Sequence, residues 1–277
     1  MTNRIQSAHG DLKPSPDLPH QNAEIGLQKF ATPGIEAMDR PGWVARLLMS
    51  AVTVAEDFNR KCAILGNPCV YDSSQFPWVA AIEREWPAIR ADLDRVLARK
   101  DELPNIQDIT PDAKSITRDA GWKTFIFLAY GVKSPPNIAL CPGTWRALQK
   151  IPGLKTAMFS IFEPGKRLPP HRGPYNGVLR FHLGLKTPTP RDAAMIRVEN
   201  QVHCWEEGKA LIFDDAYEHE AWNEAANPRV VLFVDFLKPL RFPANILNRL
   251  IMTLALFSPY VREGNENLRH WERRFYR

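Results

Sequence analysis

The stretch GVLRFHLGL, residues 177–185, reads as a β-strand whose two faces differ in kind. Successive side chains of a strand point to opposite sides. Val178, Arg180, His182 and Gly184 therefore share one face, and Leu179, Phe181, Leu183 and Leu185 share the other. The second face is wholly apolar and fit for a core. The first sets a guanidinium beside an imidazole, and Gly184 leaves the backbone open there, as beside a ligand. A strand with one side in solvent is the plain alternative.

Runs of the same kind surround it: WKTFIFLAY at 122–130, KTAMFSIF at 155–162, MIRVEN at 195–200, KALIFDD at 209–215 and RVVLFVDF at 229–236. Turn residues separate them, among them Pro164-Gly165, Gly173-Pro174, the TPTP of 187–190 and Asn227-Pro228. Many short strands punctuated in this way predict an antiparallel sandwich or barrel. RVVLFVDF is apolar on both faces apart from Arg229 and Asp235, as for a strand between two layers. A guanidinium opening such a strand needs an anionic partner, either a protein side chain or a carboxylate ligand.

Upstream, Trp43 to Phe58 and Val79 to Val96 carry apolar residues at helical spacing, with Pro87 marking a kink or a fresh start. The chain thus divides into a loose arm over 1–40, a helical segment over 41–110 packing on the core, a mainly β core over 111–243, and a helical, basic tail over 244–277. In the tail, NILNRLIMTLALFSPY (245–260) reads as a helix covering the core, with peripheral membrane contact as the alternative. Its apolar run falls far short of the ~20 residues of a spanning helix.

The whole, 277 residues with 44% apolar and 24% charged content, is that of a globular chain able to bury its own core. Four cysteines without metal-finger spacing, and a start lacking any apolar leader, predict reduced thiols in the cytoplasm. The net charge of +5 is spread along the chain. It favours small anions or anionic surfaces weakly and gives nucleic-acid binding no specific support.

Two histidines stand at predicted strand edges, His171 in PHRGPY and His219 in YEHEAWN. Across the mouth of a barrel such residues can meet, and two imidazoles with open positions suit Fe(II). Surface or hydrogen-bonding histidines are the plain alternative. The carboxylate usual two residues after the first histidine is missing, because position 173 is glycine. Glu218 and Glu220 flank His219 and, on an extended strand, point away from it. Asp214 and Asp215 could orient a ligand. His9, His20, His203 and His270 lie in tails or a turn and read as solvated.

In order along 157–239, AMFSIFEPGKRLPPHRGPYNGVLRFHLGL, WEEGK, LIFDD, EHEAWN and then Arg229 resemble the aspartyl/asparaginyl β-hydroxylase family. The resemblance implies an Fe(II)- and 2-oxoglutarate-dependent dioxygenase, mainly β with flanking helices, on a double-stranded β-helix of the jelly-roll, cupin-like kind. It implies that His171 and His219 bind the iron and that Arg229, assisted by Ser160, holds the distal carboxylate of 2-oxoglutarate. It also implies that His182 lies near the same co-substrate and that Arg180 lines the pocket toward co-substrate or substrate. The implied partners are dioxygen and a small-molecule or peptidyl substrate, anionic by the charge balance, hydroxylated at the β-carbon of an aspartyl or asparaginyl residue. Glycine at 173 is in keeping with that family, with water filling the third position; substrate or halide are the other occupants.

A longer frame, FPWVAAIEREW at 76–86, GWKTF at 121–125 and ALCP at 139–142, is similar to the lipid A hydroxylase branch. This implies the alternative substrate, a lipid acyl chain. That branch reads His-Arg-Asp and is expected to carry membrane segments, and this sequence shows neither. A third reading is a ligand-binding module that keeps the barrel without the chemistry.

Overall fold

Aromatic and β-branched runs become strands nearly where alternation places them. The computed structural model describes residues 43–277, with side chains from Ser50 onward, so the arm predicted over 1–40 lies outside the described residues. The strands are β1 (Val70–Tyr71), β2 (Trp122–Ala129), β3 (Val132–Lys133), β4 (Leu154–Phe162), β5 (Arg167–His171), β6 (Val178–Lys186), β7 (Ala194–Val198), β8 (Gln201–Cys204), β9 (Ala210–Phe213), β10 (His219–Asn223) and β11 (Arg229–Leu237). The helices are α1 (Trp43–Cys62), α2 (Val79–Arg84), α3 (Trp86–Leu97), α4 (Ile106–Ile109), α5 (Pro135–Leu140), α6 (Pro142–Leu148), α7 (Ala244–Leu254) and α8 (Pro259–Phe275). Pro87 sits in the first turn of α3, so it starts a new helix rather than bending one.

The larger sheet runs β1-β9-β6-β11-β4-β2-β3 and the smaller runs β5-β10-β7-β8. From β4 to β11 the chain changes sheet at every step except the β7–β8 hairpin. Counting β4 as first and β11 as eighth, the two sheets read 6-3-8-1 and 2-7-4-5. That is the order of a two-sheet jelly roll, the double-stranded β-helix expected from the sequence. β2, β3 and the short β1 extend its larger sheet.

Register gathers the polar residues. Val231 of β11 lies opposite Ser160 on one side and Gly184 on the other; Phe233 is flanked by Met158 and His182, and Asp235 by Thr156 and Arg180. Ser160, Arg180, His182 and Arg229 therefore share one face of the larger sheet. On the other face Phe159, Phe181, Leu183, Leu232 and Val234 are wholly buried. Trp78 packs on Phe181 and Phe236 there, while Trp271 and Phe275 of α8 pack on Phe125. Each such side chain contributes about 1.5–3 kcal/mol. The helices stabilise the sheet from outside and leave its inner face to the site.

Two elements differ from expectation. β5, RLPPH, contains two prolines and is not among the runs read as strands, although His171 is expected at a strand edge; it forms because it is an edge strand, where a missing amide is tolerated. The 245–260 segment is helical, but α7 does not cover the core with its large residues. It buries Ala244, Asn248 and Met252 and leaves Ile246, Leu247, Leu250 and Leu254 exposed.

Candidate active site

His171 ends β5 and His219 begins β10, and the two are cross-strand partners with ring centroids 4.2 Å apart. Nδ1 of His171 lies 2.7 Å from the carbonyl of Pro169, and Nδ1 of His219 lies 2.9 Å from that of Tyr217. A carbonyl only accepts, so each Nδ1 carries the proton and each Nε2 keeps its lone pair. Burial pushes both rings below the ordinary histidine range; for His219 the neighbouring His171 adds to the effect. Two neutral imidazoles with pinned tautomers are the form in which histidine binds a metal.

Position 173 is closed. A Cβ there would meet Oδ2 of Asp215 at 2.3 Å, and the Gly173 amide already donates to the Asp215 carbonyl at 2.7 Å. The room a third ligand's side chain would need is filled by Asp215. Among the described residues no group of three or more His, Cys, Asp or Glu is arranged to hold a metal. The donor set is two histidines, and it fits a metal whose other positions go to small oxygen ligands.

From His219 a series of ring contacts runs through Phe213 and His182 to Trp205 and Arg229. The Trp205 indole donates to Nδ1 of His182 at 3.2 Å. The His182 proton must then sit on Nε2, which is buried without a partner. Arg229 is sandwiched between Phe162 and Trp205, its guanidinium carbon 3.7 and 4.4 Å from the two rings. Its Nε and Nη1 have no partner among the described residues, and burial alone pushes its pKa down to about 9. Ser160 Oγ accepts from the Trp122 indole at 3.0 Å, leaving its own O–H to donate. Three buried groups on one face, each with a donor left over and no carboxylate among the three, can receive an anion.

Arg180 shares that face but is occupied. Expected to meet substrate or co-substrate, it instead closes Nη2 on Asp215 and Nε on Asp235, both at 2.8 Å. Burial works against its charge, yet the two acids more than offset this and hold its pKa up. Asp215 is pushed up to about 7 by burial, against the pull of Arg180. Tyr130, in the field of this cluster, is pushed to about 12 by burial first and Asp235 next. Asp214 pairs with Lys238 at 2.7 Å, and Glu218 and Glu220 both pair with Arg197, away from the histidines.

Sequence reasoning misses Trp205, Trp122 and Asp235 as parts of the site. A buried indole needs an acceptor, so the tryptophans carry a signal, but their acceptors lie on other strands. The loop after His171 is tied down by helices: Glu56 of α1 takes Arg172 and the Asn176 amide, Asn59 donates to Tyr175 and Asn176, and Asn248 of α7 donates to the Gly177 carbonyl.

A family model described as aspartyl/asparaginyl beta-hydroxylase matches residues 83–239. The chain is 61% identical over 249 residues to the ornithine lipid ester-linked acyl 2-hydroxylase of Rhizobium tropici, covering 90% of this chain and 89% of that protein. It is 35% identical over 166 residues to the human aspartyl/asparaginyl beta-hydroxylase, covering 58% of this chain and 21% of that one. Among solved structures, a Pseudomonas putida prolyl-4-hydroxylase aligns over 56% of this chain and 88% of that one, with TM-score 0.36 and 20% identity.

Proposed function

The chain belongs to the aspartyl/asparaginyl β-hydroxylase family, and from that premise we propose an Fe(II)- and 2-oxoglutarate-dependent dioxygenase that hydroxylates the ester-linked acyl chain of an ornithine lipid. The observation that carries the co-substrate is Arg229, a buried guanidinium with no protein anion beside it among the described residues. In this reading it takes the distal carboxylate of 2-oxoglutarate, with Ser160 O–H and His182 Nε2–H as further donors. His171 and His219 hold the iron, which when bound supplies the activation of dioxygen coupled to decarboxylation of the co-substrate.

The residues of this chain orient and enclose. Trp205 and Trp122 set which atoms of His182 and Ser160 are free to donate. Phe213, Phe233 and the Arg229 ring sandwich keep the co-substrate end dry, which strengthens each charge-assisted contact. Arg180 holds Asp215 over Gly173, where it occupies the room that a side chain at 173 would need. Such positioning is where a protein contributes most to cofactor-borne chemistry.

Identity spread over nine-tenths of both chains supports the acyl substrate that the sequence gives as the alternative. The β-carbon of an aspartyl or asparaginyl residue, the main reading from sequence, is supported by the family model and the human enzyme, which matches over a fifth of its own length. Retention of both histidines and all three anion donors speaks against a ligand-binding module without chemistry. Aerobic incubation with Fe(II), 2-oxoglutarate and ornithine lipid should add one oxygen to the ester-linked acyl group, with matching succinate. His171→Ala and His219→Ala should each abolish both products. Succinate stimulated only by aspartyl or asparaginyl peptides would shift the assignment to the second substrate.

A further inference from the structure

We propose that α7 and the segment after it seat this protein on an anionic lipid bilayer, its exposed apolar side chains entering the headgroup region. The proposal rests on the acyl-chain reading for its purpose, but its physical basis is separate. A surface helix ordinarily buries its large apolar residues. α7 does the reverse: Ala244, Asn248 and Met252 form the buried stripe, while Ile246, Leu250 and Leu254 form the exposed one, continued by Phe257. Phe242, just before the helix, is 80% exposed and Phe257 74%. Six of the eleven exposed large hydrophobic residues among the described residues fall within 242–257, so the exposure is a patch and not a scatter.

Charge identifies what the patch meets. Arg241, Arg249 and Arg262 are exposed around it, and no Asp or Glu occurs from Pro239 to Arg262. The acids on the neighbouring α1, Glu56 and Asp57, are engaged by Arg172 and Arg60. A second protein copy would favour an uncharged or mixed rim; an apolar stripe flanked by Arg241 and Arg249, with Glu263 the first acid after it, suits anionic headgroups over acyl chains. No helix among the described residues is long and apolar enough to cross a membrane, so the contact is one of lying on the surface. Position agrees. On its buried side Asn248 donates at 2.7 Å to the carbonyl of Gly177, in the loop between His171 and β6. The helix that would touch the bilayer is thus bonded to the loop that follows a histidine of the site.

The test is flotation of the full chain with vesicles of phosphatidylcholine alone and of phosphatidylcholine with phosphatidylglycerol. Wild type should float with the anionic vesicles. Leu250→Asp with Leu254→Asp should weaken this at least about tenfold, since two inserted side chains become charged. Arg241→Glu with Arg249→Glu should lower binding to the anionic vesicles several-fold. Both pairs should keep wild-type 2-oxoglutarate binding, which reports an intact fold. Equal flotation of wild type and the Leu pair would overturn the proposal. So would a wild type that fails to float, whether a second copy, revealed by a smaller size for the Leu pair in gel filtration, or another segment covers the patch. Detergent-dispersed ornithine lipid separates the two readings. Flotation as stated without its hydroxylation leaves the docking and removes the substrate; hydroxylation without flotation does the opposite.

Discussion

Two arginines on adjacent strands face the same interior, and their surroundings are opposite. Arg180 of β6 lies between Asp215 and Asp235, each within 2.8 Å. Arg229 of β11 lies between two aromatic rings with two nitrogens unpartnered. A buried guanidinium without an anion is costly, so a protein that keeps one leaves room for an anion to arrive from outside. The first arginine is part of the scaffold. The second has no such partner among the described residues, as the proposed co-substrate role requires.

Breaking the first should have the largest effect. Arg180→Met leaves the buried Asp215 facing the half-buried Asp235 without their shared cation, and should destabilise the protein by about 3–5 kcal/mol in urea unfolding. A loss below 1 kcal/mol would show that the acids are balanced by something else. Arg229→Met should separate function from stability. It removes a charge-assisted contact worth about 1.5–3 kcal/mol, so 2-oxoglutarate affinity should fall roughly 10- to 150-fold by calorimetry. Without ligand the same variant should unfold at equal or higher denaturant, because a desolvated charge is gone. A clear loss of stability in the ligand-free variant would mean that Arg229 has a protein partner after all.

Gly173→Ala tests the scaffold side more gently. Its Cβ would stand 2.3 Å from the Asp215 carboxylate and push it off Arg180, costing about 1–3 kcal/mol. Asp215→Ala in the same chain should make the alanine tolerable, a coupling that a double-mutant cycle reads directly.

The pH dependence without metal is a separate test of the same face. His171, His182 and His219 are all depressed by burial, so the unfolded chain takes up their protons first. Their stabilisation is present above about pH 6.5 and is lost as pH falls, by up to about 1.4 kcal/mol per group per pH unit. Asp215, raised to about 7, acts the other way: its contribution is full below about pH 4 and lost as pH rises through 7. Three groups against one predict a net loss between pH 7 and pH 5. His182→Phe should reduce that loss; a rise in stability on acidification would leave Asp215 as the dominant group.

Alternation made the inner face legible. It placed Arg180, His182 and Arg229 on one side of their strands before any contact was known, because period two is strict in a sheet. It could not tell the two arginines apart, since Asp215 reaches Arg180 from the turn after β9 and Trp205 reaches Arg229 from a loop. Strand edges allowed a meeting of His171 with His219 across the barrel mouth, and only the family resemblance gave it a role; β5 and β10, which bring them together, carry proline or polarity and do not stand among the runs read as strands. The direction of α7 was illegible for a different reason. Its apolar residues mark a helix, but the side that packs is set by Asn248 bonding a distant carbonyl.

The crowding at Gly173 also constrains what this fold can become. An acidic side chain two places after His171 has nowhere to go until Asp215 withdraws, and withdrawing Asp215 leaves Arg180 short of a counter-charge. A switch to three protein ligands would therefore need concerted change at three sites on three separate stretches of chain. Any single step on that route meets either a collision or a stranded cation, which isolates the present ligand arrangement from its neighbours in sequence space.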